Sequence, residues 1–324
     1  MPMRAPEFWS GTARGREAAP ALRAVLTPLS WLYAGVGAAR IAMAKSARAP
    51  VPVICVGNVS VGGVGKTPIV RAIRAALAAR GVQAHALSRG HGGRLEGPLQ
   101  VNAATHSAAD VGDEPLLHAR DGPAWIARDR AAGAFAAAAA GAQAIVMDDG
   151  FQNPSLAKDL ALLVVDSQTG FGNGAVLPAG PLREPIAAAL ARADAVVVVG
   201  NGELDPRLAG ATVLRATIAP SAAAPPGPLV AFAGIGRPEK FFDTLTALGA
   251  ELAETVPFDD HHPYTERDVA FLSRFASERG ARLITTEKDH VRLPASARDA
   301  VLTLPVEARF ADPAALAGLL DRLS

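Results

Sequence analysis

The sequence predicts an α/β protein of two units: a parallel-sheet domain over 51–218 and a second, smaller α/β domain over 219–324, preceded over 1–50 by a basic helical region. Three observations predict it. An apolar run, Val53–Gly57, leads straight into a glycine-rich turn ending Gly65-Lys66-Thr67, with a helical pattern behind it. Near-continuous apolar runs then alternate with alanine-rich stretches, the mark of parallel strands covered on both faces. Finally, an alanine- and proline-rich passage over 219–227 separates this pattern from a second strand–helix alternation.

Composition sets the outer bounds. At 324 residues, half of them apolar, the chain can bury a sizeable core. The single cysteine, Cys55, sits in the first apolar strand and reads as a small buried residue; no disulfide framework exists, which suits a reducing compartment. The net charge of +1 hides an asymmetry, because no aspartate or glutamate occurs over 18–95. A basic first part points to phosphorylated ligands or an anionic membrane surface. With an aromatic content of only 5% and no nucleic-acid module, a nucleic-acid partner is disfavoured.

The amino-terminal region contains a helical stretch, 21–45, in which Trp31 and Tyr33 stand among leucines. It is too short and interrupted to span a bilayer, and it lacks the cleavage context of a signal peptide. With Arg4, Arg14, Arg16, Arg23, Arg40, Lys45 and Arg48 around it, it fits an amphipathic helix lying among the headgroups of an anionic membrane. A helix docked on the adjoining domain is the competing reading.

Next come expected strands at Val53–Gly57, Ala84–Ser88, 144–147, 161–165 and Ala195–Val199. Between them lie helical stretches at 69–79, with its start near Lys66, and at 131–140 and 186–191. Ligands of such a sheet bind at the carboxyl ends of its strands. The second unit reads as strand 229–235, helix 238–248, strand 251–258, helix 266–279 and strand Arg282–Thr286.

The glycine-rich turn carries the clearest chemistry. Over Ser60, Val61, Gly62, Gly63, Val64 and Gly65, backbone N–H groups can crowd around phosphate oxygens. Lys66 can neutralise β/γ charge, and the Thr67 hydroxyl can ligate Mg²⁺. Ser60 stands where the usual spacing has glycine. Downstream, the strand at 144–147 delivers Asp148 and Asp149 at its end, where a second strand of a phosphate-loop sheet supplies the metal side. Which of the two would be inner-sphere is open.

Three further clusters stand out. Asp113 and Glu114 precede a helix-like stretch at 116–119 and could be caps or catalytic acids. Asp259-Asp260-His261-His262-Pro263 could be a metal site, an acid–base group or a polar loop; without Cys/His zinc spacing, an acid–base or orienting role is the better reading. The proline-stiffened loop at 177–185 displays Arg183 and Glu184, suited to a phosphate or a sugar, or serves only as a rigid connection. Ser88-Arg89-Gly90 opens a basic loop. Thr285-Thr286-Glu287-Lys288-Asp289 lacks the asparagine of a guanine-reading motif.

Taken together, Gly57-Asn58, Ser60-Val61-Gly62-Gly63, Gly65-Lys66-Thr67-Pro68, Ser88-Arg89-Gly90, Gly112-Asp113-Glu114-Pro115, Asp148-Asp149-Gly150-Phe151-Gln152, Leu177-Pro178-Ala179-Gly180-Pro181-Leu182-Arg183-Glu184, Gly234-Ile235-Gly236 and Asp260-His261-His262 resemble the tetraacyldisaccharide 4′-kinase family of lipid A synthesis. The resemblance runs nearly the whole chain in order. It also covers the serine-bearing phosphate loop, and departs at His91, where the family usually has tyrosine. It implies a P-loop NTPase-like domain and ATP-dependent, Mg²⁺-assisted phosphorylation of the 4′-hydroxyl of a tetraacyldisaccharide 1-phosphate, giving lipid IVA. It also implies a peripheral or monotopic location on the cytoplasmic face of the bacterial inner membrane.

By the same resemblance Lys66 and Thr67 are phosphate and Mg²⁺ ligands, Asp148 and Asp149 serve the metal side, and Asp113 is the base with His261 its dyad partner. Arg89, Gln152, Arg183 and Glu184 are substrate contacts. Because Asp113 and His261 fall in different halves, the two units would close for catalysis. A partitioning-type ATPase is a different reading of the phosphate loop, although Val61 stands where such proteins carry lysine; a nucleotide-sensing membrane adaptor is the non-enzymatic one.

Overall fold

The computed structural model describes residues 6–13, 15 and 17–323. Arg4, Arg14 and Arg16 of the expected basic flank lie outside the described residues. In chain order the strands are β1 (Val53–Gly57), β2 (Ala84–Ser88), β3 (Leu99–Gln100), β4 (Ala124–Ile126), β5 (Ala144–Asp148), β6 (Leu160–Asp166), β7 (Ala195–Val199), β8 (Val213–Pro220), β9 (Leu229–Ala233), β10 (Leu252–Pro257), β11 (Arg282–Thr286), β12 (Val301–Leu304) and β13 (Val306–Phe310). The α-helices are α1 (Pro20–Met43), α2 (Lys66–Ala78), α3 (Ala108–Val111), α4 (Asp113–Arg120), α5 (Arg130–Ala139), α6 (Ile186–Leu190), α7 (Pro238–Ala247), α8 (Glu266–Ser277), α9 (Glu287–His290) and α10 (Pro313–Leu320).

A nine-stranded sheet in the order β13-β8-β7-β6-β1-β5-β2-β4-β3 forms the first unit. Its centre is parallel and only the end strands β13 and β3 run antiparallel to their neighbours. The central strands β1, β2, β5, β6 and β7 are buried at every position, which is why they read as near-continuous apolar runs, β2 alone being interrupted within its length by a polar residue, the buried His85. One face packs on Ile69, Val70, Ile73 and Leu77 of α2 and on Leu316, Leu319 and Leu320 of α10. Burying each such side chain contributes about 1.5–3 kcal/mol. Ala134 and Ala137 of α5 cover the other face together with Phe151, Phe171 and Leu182.

The second sheet, β10-β9-β11-β12, is parallel throughout. Leu272 of α8 packs on one side and Phe241 and Leu245 of α7 on the other. The chain does not part cleanly at 219. Residues 219 and 220 complete β8 rather than belonging to a linker, and β13 and α10 return from beyond the second sheet to the first. The four-stranded unit is thus an excursion from the larger one, bounded by chain segments on the same sheet edge.

Helix α1 holds to the body at few points. Ser30 is its one buried residue, donating from Oγ to the Val176 carbonyl at 2.8 Å and accepting from the Ala179 amide at 3.1 Å. Val25, Leu29, Trp31, Leu32, Val36 and Met43 are all exposed. Among the described residues no helix is long and apolar enough to cross a membrane.

Candidate active site

The phosphate loop sits at the carboxyl end of β1, and Val61, Gly62 and Gly63 open to solvent. Gly65 has φ +85°, and a Cβ there would meet Ile218 Cδ1 at 2.3 Å, so the turn into α2 requires glycine. The loop leans on the Pro181–Arg183 passage: the Val61 amide donates to Pro181 O at 2.9 Å and the Arg183 amide to Val59 O at 2.6 Å. Two motifs far apart in the chain therefore form one wall.

Lys66 Nζ donates to Asn58 Oδ1 at 3.2 Å and lies 3.5 Å from Asp149 Oδ1. Asp149 also receives Arg183 Nη1, 3.2 Å from each oxygen. Burial favours the neutral form of Asp149, but Lys66 and Arg183 outweigh it and hold the carboxyl below its usual range. Its φ of +54° places a non-glycine residue in the left-handed region, where strain is kept only if the surroundings enforce it.

Asp148 differs from its neighbour. It is buried, Oδ2 lies 3.3 Å from the Thr67 hydroxyl and 2.8 Å from His118 Nε2, and Oδ1 has no partner. A carboxylate can only accept, so His118 Nε2 donates. An unpartnered buried carboxylate oxygen beside a threonine hydroxyl is a hard, all-oxygen donor set of the kind Mg²⁺ takes together with phosphate oxygens. Among the described residues no group of three His, Cys, Asp or Glu side chains could hold a metal alone.

Helix α4 links this centre to a second one. His118 lies on α4, and Asp113 and Glu114 form its first turn rather than a preceding loop. Gly112, at φ +89°, lets the chain turn into the helix; a Cβ there would strike His91 O at 2.3 Å. Burial and the nearby Asp148 carboxylate push Glu114 up to about 7. Asp113 Oδ1 accepts the Glu114 amide at 2.9 Å, while Oδ2 faces the second sheet. There His261 Nδ1 lies at 3.2 Å, Lys288 Nζ at 3.7 Å and Arg292 Nη2 at 2.6 Å. His261 is itself left-handed at φ +60°.

The other expected residues fall into place less directly. Gln152 and Glu184 are engaged within the protein: Gln152 Nε2 donates to Asn58 O at 2.8 Å and Glu184 Oε1 at 3.0 Å, and Glu184 Oε2 receives Arg192 Nη2 at 2.6 Å. Both brace the wall beneath the phosphate loop. Arg89 is exposed beyond β2 and, among the described residues, joins neither centre. His262 turns away, with Nε2 3.3 Å from Asp268 and its ring against Phe258. Burial pushes the Cys55 thiol up to about 12, so it is packing and not a nucleophile. Sequence reasoning missed His118 and Arg292. His118 stands one helical turn beyond Glu114 and could have been found as a polar residue on the same α4 face.

A sequence model of the LpxK family, tetraacyldisaccharide-1-P 4′-kinase, matches residues 22–324. The chain belongs to that family. Similar members include the tetraacyldisaccharide 4′-kinases of Hyphomonas neptunium, 55% identical over 98% of this chain and 97% of the relative, and of Dinoroseobacter shibae, 53% identical over 99% and 98%. Among solved structures, the "apo" form of LpxK from Aquifex aeolicus in complex with ATP is similar, with a TM-score of 0.78 and 29% identity, covering 93% of this chain and 99% of that one. The chain's match to the tetraacyldisaccharide 4′-kinases is continuous rather than confined to the phosphate loop.

Proposed function

We propose that this chain transfers the γ-phosphoryl group of ATP to the 4′-hydroxyl of a tetraacyldisaccharide 1-phosphate, with Asp113 taking the hydroxyl proton. The ATP-dependent 4′-phosphorylation in lipid A biosynthesis is the reaction of the family to which the chain belongs. The observation that carries the residue assignment is Asp113 of the first sheet meeting His261 from the second at 3.2 Å, on a helix that also reaches Asp148 through His118.

In this reading the loop from Ser60 to Gly65 cradles the phosphates, and Lys66 leaves Asn58 and Asp149 to neutralise β/γ charge. Thr67 and Asp148 would hold Mg²⁺, which when bound with ATP offsets the charge on the phosphate oxygens. Asp149 stays paired with Arg183 when Lys66 turns to the phosphates, and so keeps that guanidinium beside the loop. The 4′-oxygen attacks the γ-phosphorus as its proton passes to Asp113; the bond to the β-phosphate oxygen breaks and its electron pair leaves with ADP. His261 orients the Asp113 carboxylate.

The His261 side chain is half exposed, so removing its ring should cost the fold little. His261→Ala should lower kcat about 10–100-fold with KM for ATP nearly unchanged. Michaelis kinetics check this, and an unaltered kcat would remove His261 from the assignment.

Helix α1 would be the membrane contact of a peripheral enzyme. Its exposed Trp31, Leu32, Leu29 and Val36 beside Arg23 and Arg40 fit a headgroup layer of anionic lipid. Trp31→Ser with Leu32→Ser should weaken sedimentation with anionic vesicles at least 10-fold, while soluble ATP binding stays constant. Equal vesicle binding would leave α1 as a docked helix only.

A further inference from the structure

The Thr285–Asp289 run lacks the asparagine of a guanine-reading motif, yet it builds a constrained charge cluster between the two sheets. The Thr286 hydroxyl caps α9 by accepting the Asp289 amide at 3.0 Å. Asp289, fully buried, uses Oδ1 to accept the Gly234 amide at 3.0 Å, the Tyr264 hydroxyl at 3.1 Å and Arg292 Nη1 at 3.0 Å. Arg292 Nη1 also donates to Gly234 O at 2.8 Å. The guanidinium is thereby fixed on the second sheet, and its Nε and Nη2 reach Asp113 Oδ2 at 3.0 and 2.6 Å.

We propose that Arg292 is a positioning residue for the phosphoryl transfer, held by Asp289 and Gly234 so that its fork sets the orientation and the proton affinity of Asp113. The inference rests on Asp113 being the base. Both partners are almost wholly buried, the side chain of Arg292 being 5% exposed and that of Asp113 9%. A planar fork fixed at one edge by an anchored carboxylate and a carbonyl gives the opposite edge a single direction. It therefore points Asp113 toward the space between the sheets when they meet.

The groups facing Asp113 are Glu114 on its own helix, His261 from the loop after β10, and Lys288 and Arg292 from α9 and the turn beyond it; Asp260 lies behind His261 at 3.9 Å and Asp289 behind Arg292 at 3.0 Å. Burial raises the proton affinity of Asp113, but the His261 hydrogen bond and the charges of Lys288 and Arg292 more than reverse it and hold the carboxyl well below its usual range. Taking away the guanidinium lets burial count for more, so the proton affinity rises. Below the new pKa the carboxyl is protonated and cannot take the proton of the acceptor hydroxyl, and activity is lost from the acid side.

The test is the pH profile of kcat/KM for the full-length enzyme and for Arg292→Met, Arg292→Lys and Asp113→Asn, with ATP and the lipid acceptor in micelles. Arg292→Met is expected to bring into the assayed pH range an acid limb that in wild type lies below it, so that its loss against wild type is roughly 10-fold greater at the low end of the profile than at its plateau. Arg292→Lys keeps the charge but has one nitrogen in place of the planar fork that spans Asp113 on one edge and Asp289 and Gly234 on the other; it should keep the wild-type pH dependence and lose about 10-fold in kcat. An Arg292→Met profile lowered equally at every pH, or an Arg292→Lys enzyme with wild-type kcat, overturns the proposal. If Arg292→Met does not fold, kcat of Arg292→Lys decides. Asp113→Asn separates the two claims. An active Asp113→Asn enzyme removes the base assignment and the proposal with it, whereas an inactive one beside an unshifted Arg292→Met profile removes only the role of Arg292.

Discussion

Asp113→Asn is expected to lower kcat by about 10²–10⁴-fold while leaving KM for ATP within a few-fold of wild type. The amide keeps the size of the carboxylate and can still accept the Glu114 amide, but it cannot take a proton from the acceptor hydroxyl. Asp113 touches none of the phosphate-loop side chains; its contacts are His261, Lys288 and Arg292. Nucleotide affinity should therefore survive. Stability should fall, because breaking a buried ion pair from one side costs up to about 3–5 kcal/mol; the retained pairing of Arg292 with Asp289 keeps the loss toward the low end. Steady-state kinetics beside nucleotide titration separate these effects, and a turnover within a few-fold of wild type would show that the proton goes elsewhere.

The second large effect is expected at Lys66. Lys66→Ala removes the one phosphate-loop side chain that carries charge to the β/γ oxygens and should lower kcat/KM for ATP about 10³-fold. The fold should be nearly unaffected. Asp149 keeps its pairing with Arg183, and Asn58 keeps its donor contact to Ser60 O at 2.7 Å. The loss should thus come with little change in thermal unfolding. A variant with near-normal kcat/KM would mean that phosphate charge is met by Arg183 or by residues outside this loop.

Much of the larger sheet was legible because its central strands are buried on both faces and so leave continuous apolar runs at β1, β5, β6 and β7, and a run broken by His85 at β2. β13 left no such trace. It is an edge strand whose exposed Glu307 and Arg309 alternate with half-buried Val306, Ala308 and Phe310, and its place on the first sheet depends on a return across the second unit. β4 was missed for its brevity, three residues whose burial comes from neighbours on both sides. β8 was not read as a strand: 213–218 drew no assignment, and its last two residues, Ala219 and Pro220, fell into the expected linker whose composition they share.

The site divides in the same way. Residues at strand ends and in glycine turns were readable, since phosphate chemistry demands particular types at fixed spacing: Gly65, Lys66, Thr67, Asp148 and Asp149. Roles created by tertiary contact were not. Arg292 meets Asp113 across 179 positions of sequence, and nothing local marks it apart from other arginines. Glu184 illustrates the converse. Its loop suggested a side chain displayed to a sugar, but the structure turns it inward to Gln152 and Arg192, where it braces the wall that the phosphate loop leans on.

The most direct measurement is transfer of labelled γ-phosphate from ATP to a tetraacyldisaccharide 1-phosphate in detergent micelles with Mg²⁺, run with wild type, Lys66→Ala and Asp113→Asn. The expected result is a labelled bisphosphorylated lipid from wild type, almost none from Lys66→Ala, and product from Asp113→Asn slower by the factor given above. No lipid product from wild type, with ATP still bound or hydrolysed, would contradict the lipid kinase and turn attention to an ATPase or a nucleotide-binding adaptor.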